Sequence, residues 1–279
     1  MSCVFTNDGG ITVSLIEHPF SPTFASRNNH EVLFRQMHTY LMDVGIIKNN
    51  IIDLGAWIGD NTIPWSKRSG SDAKRTLSDQ KRSVVSLSDQ KRSLSNQKQS
   101  VVYAIDPSRE NCDFIQRMCD HNKIDNVKIF QTAISDKMET LSTNDDMYHC
   151  TFVQGGEGRN KVNAITLDHL FNIGEIENIG YIHLDVEGME YNVILGAEKI
   201  IDSYKPVITF EQHLEIDNYN LILEHLTNKN YVVFLIDEVL PGCRPDCRNS
   251  IAFPKEMFDP SIVTKIHEYI GKEILLPFF

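Results

Sequence analysis

No stretch of the 279-residue sequence approaches the ~20 consecutive apolar residues needed to span a bilayer, and the opening MSCVFTNDGG lacks a basic segment leading into an apolar run. The expectation is a soluble, non-secreted, cytoplasmic protein. Net positive charge is lacking too, because 27 Lys and Arg face 38 Asp and Glu for a formal charge of −11. Without an overall basic field, long nucleic acid is a poor partner, and small or neutral molecules suit the chain better. Cysteine is sparse, with six residues at Cys3, Cys112, Cys119, Cys150, Cys243 and Cys247. The chain is long enough to bury a core without a disulfide frame, so reduced thiols are expected. Cys243 and Cys247 stand four apart in PGCRPDCRN, but a zinc site needs further ligands and no second pair is evident, so no metal is assigned.

What the chain does have is an alternation of short apolar runs with helical patterns, organised around IIDLGAWIGDNTIPW, Ile51 to Trp65. A buried strand runs into Asp53, Gly55 and Gly59 bracket a turn, and Asp60-Asn61-Thr62 opens a helix. Glycine lets backbone approach a ligand closely, and a helix N-terminus presents unpaired N–H groups, so this is a candidate cofactor cradle. A dinucleotide fingerprint wants three glycines as G-x-G-x-x-G, whereas Gly55 and Gly59 are two glycines four apart. The missing glycine disfavours an NAD-dependent oxidoreductase.

Upstream, residues 1 to 45 read as a hairpin turning at Gly9-Gly10, an edge decoration, followed by a helix from about Asn29 to Val44 with Gly45 as its stop. Downstream, composition shifts at residues 67–100, which hold nine Lys and Arg against three Asp. LSDQKRS at Leu77 to Ser83 recurs at Leu87 to Ser93 and degenerately as LSNQKQS at Leu94 to Ser100. So few apolar residues cannot offset the entropy of ordering, and the segment reads as a mobile surface insertion. Without Leu77 to Ser100 the step from Gly59 to Asp106 comes close to the ~20 residues expected between a glycine loop and a ribose-binding acid.

Further strands are expected at Val101 to Asp106, Val127 to Gln131, Tyr181 to Asp185, Pro206 to Phe210, Tyr231 to Ile236 and Ser250 to Phe253. Helices are expected at Pro107 to Asn122, Ala164 to Phe171, from Glu190 onward, and Glu215 to Lys229. The polar stretch Glu139 to Gly158, with GGEG at Gly155 to Gly158, is left as an irregular hairpin over one edge of the site. Residues 255–279 are a C-terminal helix and tail. The whole is one α/β domain with a doubly wound, mostly parallel sheet, whose ligands sit beyond the carboxyl ends of the strands. Asp106, Asp185, Glu211 and His213 all fall there.

Four stretches, taken in order, resemble the FkbM-type branch of the S-adenosylmethionine-dependent methyltransferases. They are IIDLGAWIGDNT, VVYAIDPSRENCDFI, AITLDHL, and IGYIHLDVEGMEYNVILGAEKII with ITFEQH after it. The resemblance covers roughly Ile46 to Pro254. It implies a methyltransferase-type, Rossmann-like fold of seven strands in the order 3-2-1-4-5-7-6, with the last strand antiparallel. It also implies S-adenosyl-L-methionine as cofactor and transfer of a methyl group to an oxygen, often a sugar hydroxyl of a glycan or glycoconjugate. Asp106 stands where family members often carry Glu.

The cofactor-binding candidates are Asp53, Gly55, Ala56, Trp57, Gly59, Asp60, Asn61, Asp106, Pro107, Ser135 and Asp185. An alcohol is a poor acid, so its proton needs a base beside the reacting methyl, and the catalytic candidates are Asp185, Glu211 and His213. The same carboxylates can instead hold Mg²⁺. His183, mid-strand, reads as a core histidine, and Glu187 and Glu190 read equally as stabilisers of the following helix. Methylation of RNA or protein, with the basic insertion as docking arm, and a binding module without catalysis are the alternatives.

Overall fold

The computed structural model describes residues 4–6, 11–69, 99–145, 150–152, 160–214, 218–240, 243 and 245–278. Gly9-Gly10, Cys3, GGEG and nearly all of the repeat insertion lie outside the described residues. The chain opens with strands β1 (Val4–Thr6) and β2 (Thr12–Ser14), paired antiparallel with Phe5 opposite Val13. Phe5 and Val13 are buried with Phe20, Phe24 and Phe114, so this ribbon contributes to the core and is more than an edge decoration.

Helix α1 (Ser21–Ser26) and a short 3-10 turn (Arg27–Asn29) lead into α2 (Val32–Asp43). The α2 helix begins later than its periodicity predicts, because Glu31 adopts a left-handed conformation at φ 52°. Its first-turn donors are met from far along the chain: the Glu238 carboxylate accepts from the backbone N–H groups of Leu33 and Phe34, both at 2.9 Å. Gly45, at φ 77°, follows the helix as expected.

The core then runs β3 (Asn50–Leu54), α3 (Thr62–Ser69), β4 (Val102–Asp106), α4 (Arg109–Asn122) and β5 (Val127–Gln131). Next come β6 (Ala133–Ile134), β7 (Glu139–Asp145), β8 (Cys150–Phe152), β9 (Asn160–Ile165) and α5 (Leu167–Asn172). The chain continues through β10 (Ile179–Leu184), α6 (Glu190–Leu195), α7 (Glu198–Tyr204), β11 (Val207–His213) and α8 (Tyr219–Asn228). It closes with β12 (Tyr231–Ile236), β13 (Cys247–Pro254), α9 (Ser261–Ile270) and β14 (Leu275–Pro277).

The central sheet has the order β14-β12-β13-β11-β10-β3-β4-β5. Pairing is parallel from β11 through β10, β3 and β4 to β5, and β13 runs antiparallel to both β11 and β12. It is a mostly parallel α/β sheet of eight strands, not seven, because the tail expected after the last helix adds β14 antiparallel to β12. All five residues of β3 and of β4 are buried, the pattern of strands covered on both faces. On one face Ile52, Leu184 and Phe210 pack with Val193, Ile200 and Ile222 of the helices. On the other, Ile51, Tyr181 and Ile251 meet Phe34, Met37 and Ile266.

Two expectations are corrected for identifiable reasons. The polar stretch after Glu139 holds an antiparallel β7-β8 pair, but as part of a second sheet of order β6-β9-β7-β8, and β9 occupies the expected start of the helix at Ala164. The helix expected from Glu190 onward is two, because Gly196 brings the chain so close to Ser135 that a Cβ would overlap its carbonyl oxygen. Among the described residues no helix is long and apolar enough to cross a membrane.

The insertion leaves and re-enters the fold at one side chain. Asn126 Nδ2 lies 3.3 Å from Ser69 Oγ and donates to Ser100 O at 2.9 Å. With its ends fixed side by side, the insertion's length enters stability only logarithmically. Deleting residues 77–98 is therefore expected to shift unfolding free energy by about 1 kcal/mol or less, as read by urea denaturation. A large loss would show that the repeats are packed.

Candidate active site

The site grows from the tip of β3. Gly55 sits at φ 72°, and a Cβ there would overlap the Asp185 carbonyl oxygen, so the turn can press this close to the tip of β10 only with glycine. Gly59 is also left-handed, at φ 75°, and a Cβ would stand 3.0 Å from Ile115 Cγ1. Between them Ala56 is buried and Trp57 takes φ 43°, uncommon for a side-chain-bearing residue.

Asp106, at the tip of β4, is tied to this turn. Its Oδ2 accepts from the Trp57 N–H at 2.9 Å, and its Oδ1 accepts from the Ser108 N–H at 2.8 Å and from Asn111 Nδ2 at 3.0 Å. Pro107 follows, and Ser108 caps α4. Burial pushes the Asp106 carboxyl up to about 6, against those three hydrogen bonds, with the Asp53 charge adding to the rise.

Asp53, Asp60 and Asn61 are placed as supports of the turn, and Ser135 lies apart from it. Asp53 is buried, accepts from Thr62 Oγ1, and has Oδ1 2.9 Å from His183 Nδ1. His183 is thus in the core, although its Nε2 has no hydrogen-bond partner among the described residues. Asp60 Oδ2 receives Arg27 Nε at 2.8 Å and an Arg35 Nη at 2.6 Å, and Asn61 Oδ1 accepts from Arg35 Nε at 3.1 Å. Burial would raise the Asp60 carboxyl, but the two arginines prevail and hold it down at about 2. Ser135 is buried, with its hydroxyl 3.0 Å from both Asp136 Oδ1 and Glu139 Oε1.

The catalytic candidates gather on β10 and β11. Asp185 follows β10, and its N–H donates to Leu54 O at 3.0 Å, which locks it to the glycine turn. Its carboxyl is driven well above the usual range, first by burial, then by the charges of Glu211, Glu187, Glu31 and Glu190. Glu190 folds the turn between β10 and α6: its Oε1 accepts from the Val186 N–H at 3.0 Å and the Gly188 N–H at 3.3 Å, and its Oε2 accepts from Gln212 Nε2 at 2.7 Å. Glu187 is exposed on that turn.

Two groups of residues at the site are assembled only by the fold. Glu31 is buried where Asn249 Nδ2 donates to it at 2.9 Å, and it shares Arg27 and Arg35 with Asp60. The Arg27 guanidinium lies 5.3 Å from the Trp57 ring centroid, so the N-terminal segment borders the glycine turn. The second group is Cys243 and Cys247, which sequence reading left without further ligands and which the fold sets beside Glu211 and His213.

The family model of the Methyltransferase FkbM domain matches residues 70–233, more than half of the chain. The chain belongs to the FkbM methyltransferase family. The matched residues include Asp106, Asp185, Glu211 and His213, while the glycine turn precedes them. Among curated proteins none matches. An FkbM methyltransferase from Methylobacillus flagellatus KT is similar at 16% identity and TM-score 0.44, over 74% of this chain and 43% of that one. The chain therefore spans less than half the length of that relative. An O-methyltransferase from Bacillus cereus, solved with S-adenosylhomocysteine, is similar at 12% identity and TM-score 0.47, over 84% of this chain and 88% of that one. A putative O-methyltransferase from Klebsiella pneumoniae is similar at 8% identity and TM-score 0.46, over 79% of this chain and 80% of that one.

The chain thus belongs to a family of S-adenosylmethionine-dependent methyltransferases. Its own residues fit that cofactor: the buried carboxylate of Asp106, tied to the glycine turn, offers acceptors suited to hydroxyl donors. Ribose hydroxyls bond the ionised carboxylate better than the neutral acid. Affinity for S-adenosylhomocysteine is therefore expected to rise as pH climbs through about 6, where Asp106 ionises. The same shift has the opposite sign for stability, because a carboxyl raised above 3.8 favours folding most in acid and loses that contribution as pH rises to about 6. Calorimetric titration across that range checks the binding trend, and Asp106→Asn should flatten it.

Proposed function

We propose that the chain is an O-methyltransferase acting on a sugar hydroxyl of a glycan or glycoconjugate, with Asp185 as the base. The observation that carries this reading is the position of Asp185: a carboxyl of raised proton affinity, locked by its backbone to the glycine turn. Bound S-adenosylmethionine supplies an electrophilic methyl on its sulfonium. Asp106 and the 55–59 backbone bind and orient the cofactor. Asp185 takes the proton of the acceptor hydroxyl, whose oxygen keeps the bonding pair for its new bond to carbon, and the carbon–sulfur pair would leave with the sulfur as S-adenosylhomocysteine. The carboxyls of Glu187, Glu211 and Glu31, which act electrostatically on Asp185, suit a neutral polyhydroxylated acceptor and disfavour a phosphate backbone.

The test is transfer of isotopically labelled methyl to panels of mono- and oligosaccharides, RNA and proteins. The reading expects an alkali-stable methyl ether on a sugar. Label found only in RNA or protein would move the function to the alternative in which the basic insertion is a docking arm.

A further inference from the structure

We propose that the chain holds a zinc ion between the end of β11 and the loop before β13, ligated by Glu211, His213, Cys243 and Cys247. The fold assembles this set by register. Glu211 and His213 are two apart on β11 and so project to the same face, and His213 pairs across the sheet with Cys247, the first residue of β13. Cys243, four residues ahead of Cys247, stands beside them. One donor atom from each residue lies within 4.8 Å of every other.

The separations suit a common centre. Cys243 Sγ stands 3.5 Å from His213 Nε2 and 3.8 Å from Glu211 Oε1. A tetrahedral ion with sulfur at ~2.3 Å and nitrogen or oxygen at ~2.0–2.1 Å sets such ligands about 3.5 Å apart. Cys247 Sγ to Glu211 Oε1, at 2.9 Å, is a contact that must open. Glu211 has a second carboxylate oxygen with which to relax. Two thiols, an imidazole and a carboxylate are a borderline-soft set. Tetrahedral sulfur and nitrogen donors select zinc, whereas Mg²⁺ and Ca²⁺ demand six or more oxygens.

Four protein ligands close the coordination sphere, the arrangement of a structural site. The ion fastens Cys243 and Cys247 to β11, one strand over from Asp185, and so fixes one wall of the acceptor side. With Glu211 and His213 committed to the metal, Asp185 remains as the base. The zinc site itself stands whether or not the acceptor is a sugar.

The test uses the full chain, purified reduced and without chelator, with zinc counted by mass spectrometry. About one zinc per chain is expected, as for a single closed tetrahedral site. Cys243→Ser and Cys247→Ser should each weaken zinc binding by ~100-fold or more, since structural sites bind at about nanomolar or tighter and each thiolate is a main ligand. Their affinity for S-adenosylhomocysteine, held on β3 and β4, should stay within the error of the wild type, which shows the fold intact. Cobalt added to the metal-free wild type should give intense thiolate-to-metal charge-transfer absorption. Three results would each overturn the site: a wild type that binds no zinc at micromolar concentration, a cobalt spectrum without thiolate bands, or a Cys243–Cys247 disulfide in the freshly reduced protein. The wild-type cobalt spectrum decides the matter even where a serine variant fails to fold.

Discussion

Asp185→Asn is expected to slow methyl transfer by ~10²–10⁴-fold, the usual contribution of a positioned general base. Asparagine keeps the size and most of the hydrogen bonding but cannot take a proton. The loss should fall on the single-turnover rate, while affinity for S-adenosylhomocysteine changes little, because Asp106 and the 55–59 backbone are untouched. The environment of Asp185 also gives the loss a pH signature. Burial and four surrounding carboxyls raise its proton affinity, so the wild-type rate should climb with pH to above the usual carboxylate range before levelling. A variant transferring methyl at the wild-type rate would remove Asp185 from the chemistry.

The largest stability loss is expected at Arg35. Its side chain is 3% exposed and donates to Asp60 at 2.6 Å, to Asn61 at 3.1 Å and to the Arg27 carbonyl at 2.7 Å. Arg35→Met would leave Asp60 and Glu31 buried with Arg27 as their remaining cation, at a cost of about 3–5 kcal/mol. The sign with pH follows from Asp60. A carboxyl held at about 2, below its ordinary 3.8, adds stability that is complete above the unfolded value and is lost as pH falls toward 2. In Arg35→Met the Asp60 carboxyl is no longer held so low, so the gap between variant and wild type should narrow in acid. Urea unfolding at neutral pH and near pH 3 measures both, and a constant gap would mean the arginine acts by packing alone.

These two positions differ in how far their sequence betrays them. Asp185 sits in a contiguous block, Asp185-Val186-Glu187-Gly188-Met189-Glu190, directly after an apolar run, so a strand end and a turn are legible within a few residues. Gly55, Gly59 and Asp106 are legible for the same reason, since the turn and the strand tip are local features. Arg35 lies within a helical pattern whose periodicity marks its apolar face and says nothing of a buried arginine. Its partner Glu31 stands one turn before it at the start of the same helix, while Asp60 is brought to it by the packing of α2 against the turn after β3.

The cysteine cluster was hidden by distance. Cys243 and Cys247 meet Glu211 and His213 only because β13 enters the sheet antiparallel beside β11, a pairing more than thirty residues long-range. The alternation Glu211-Gln212-His213, which puts an acid and an imidazole on one strand face, was the available signal. The second sheet escaped because Glu139–Asp145 is polar on both faces, and β14 because three residues carry too little pattern.

Calorimetric titration of the wild type and Asp106→Ala with S-adenosylhomocysteine tests the placement of the cofactor most directly. Micromolar binding by the wild type is expected, with a loss of about 1.5–3 kcal/mol on removal of the carboxylate, the range for hydrogen bonds to a charged group. Equal affinity of the two proteins, or tight binding of NAD with none of S-adenosylhomocysteine, would contradict it.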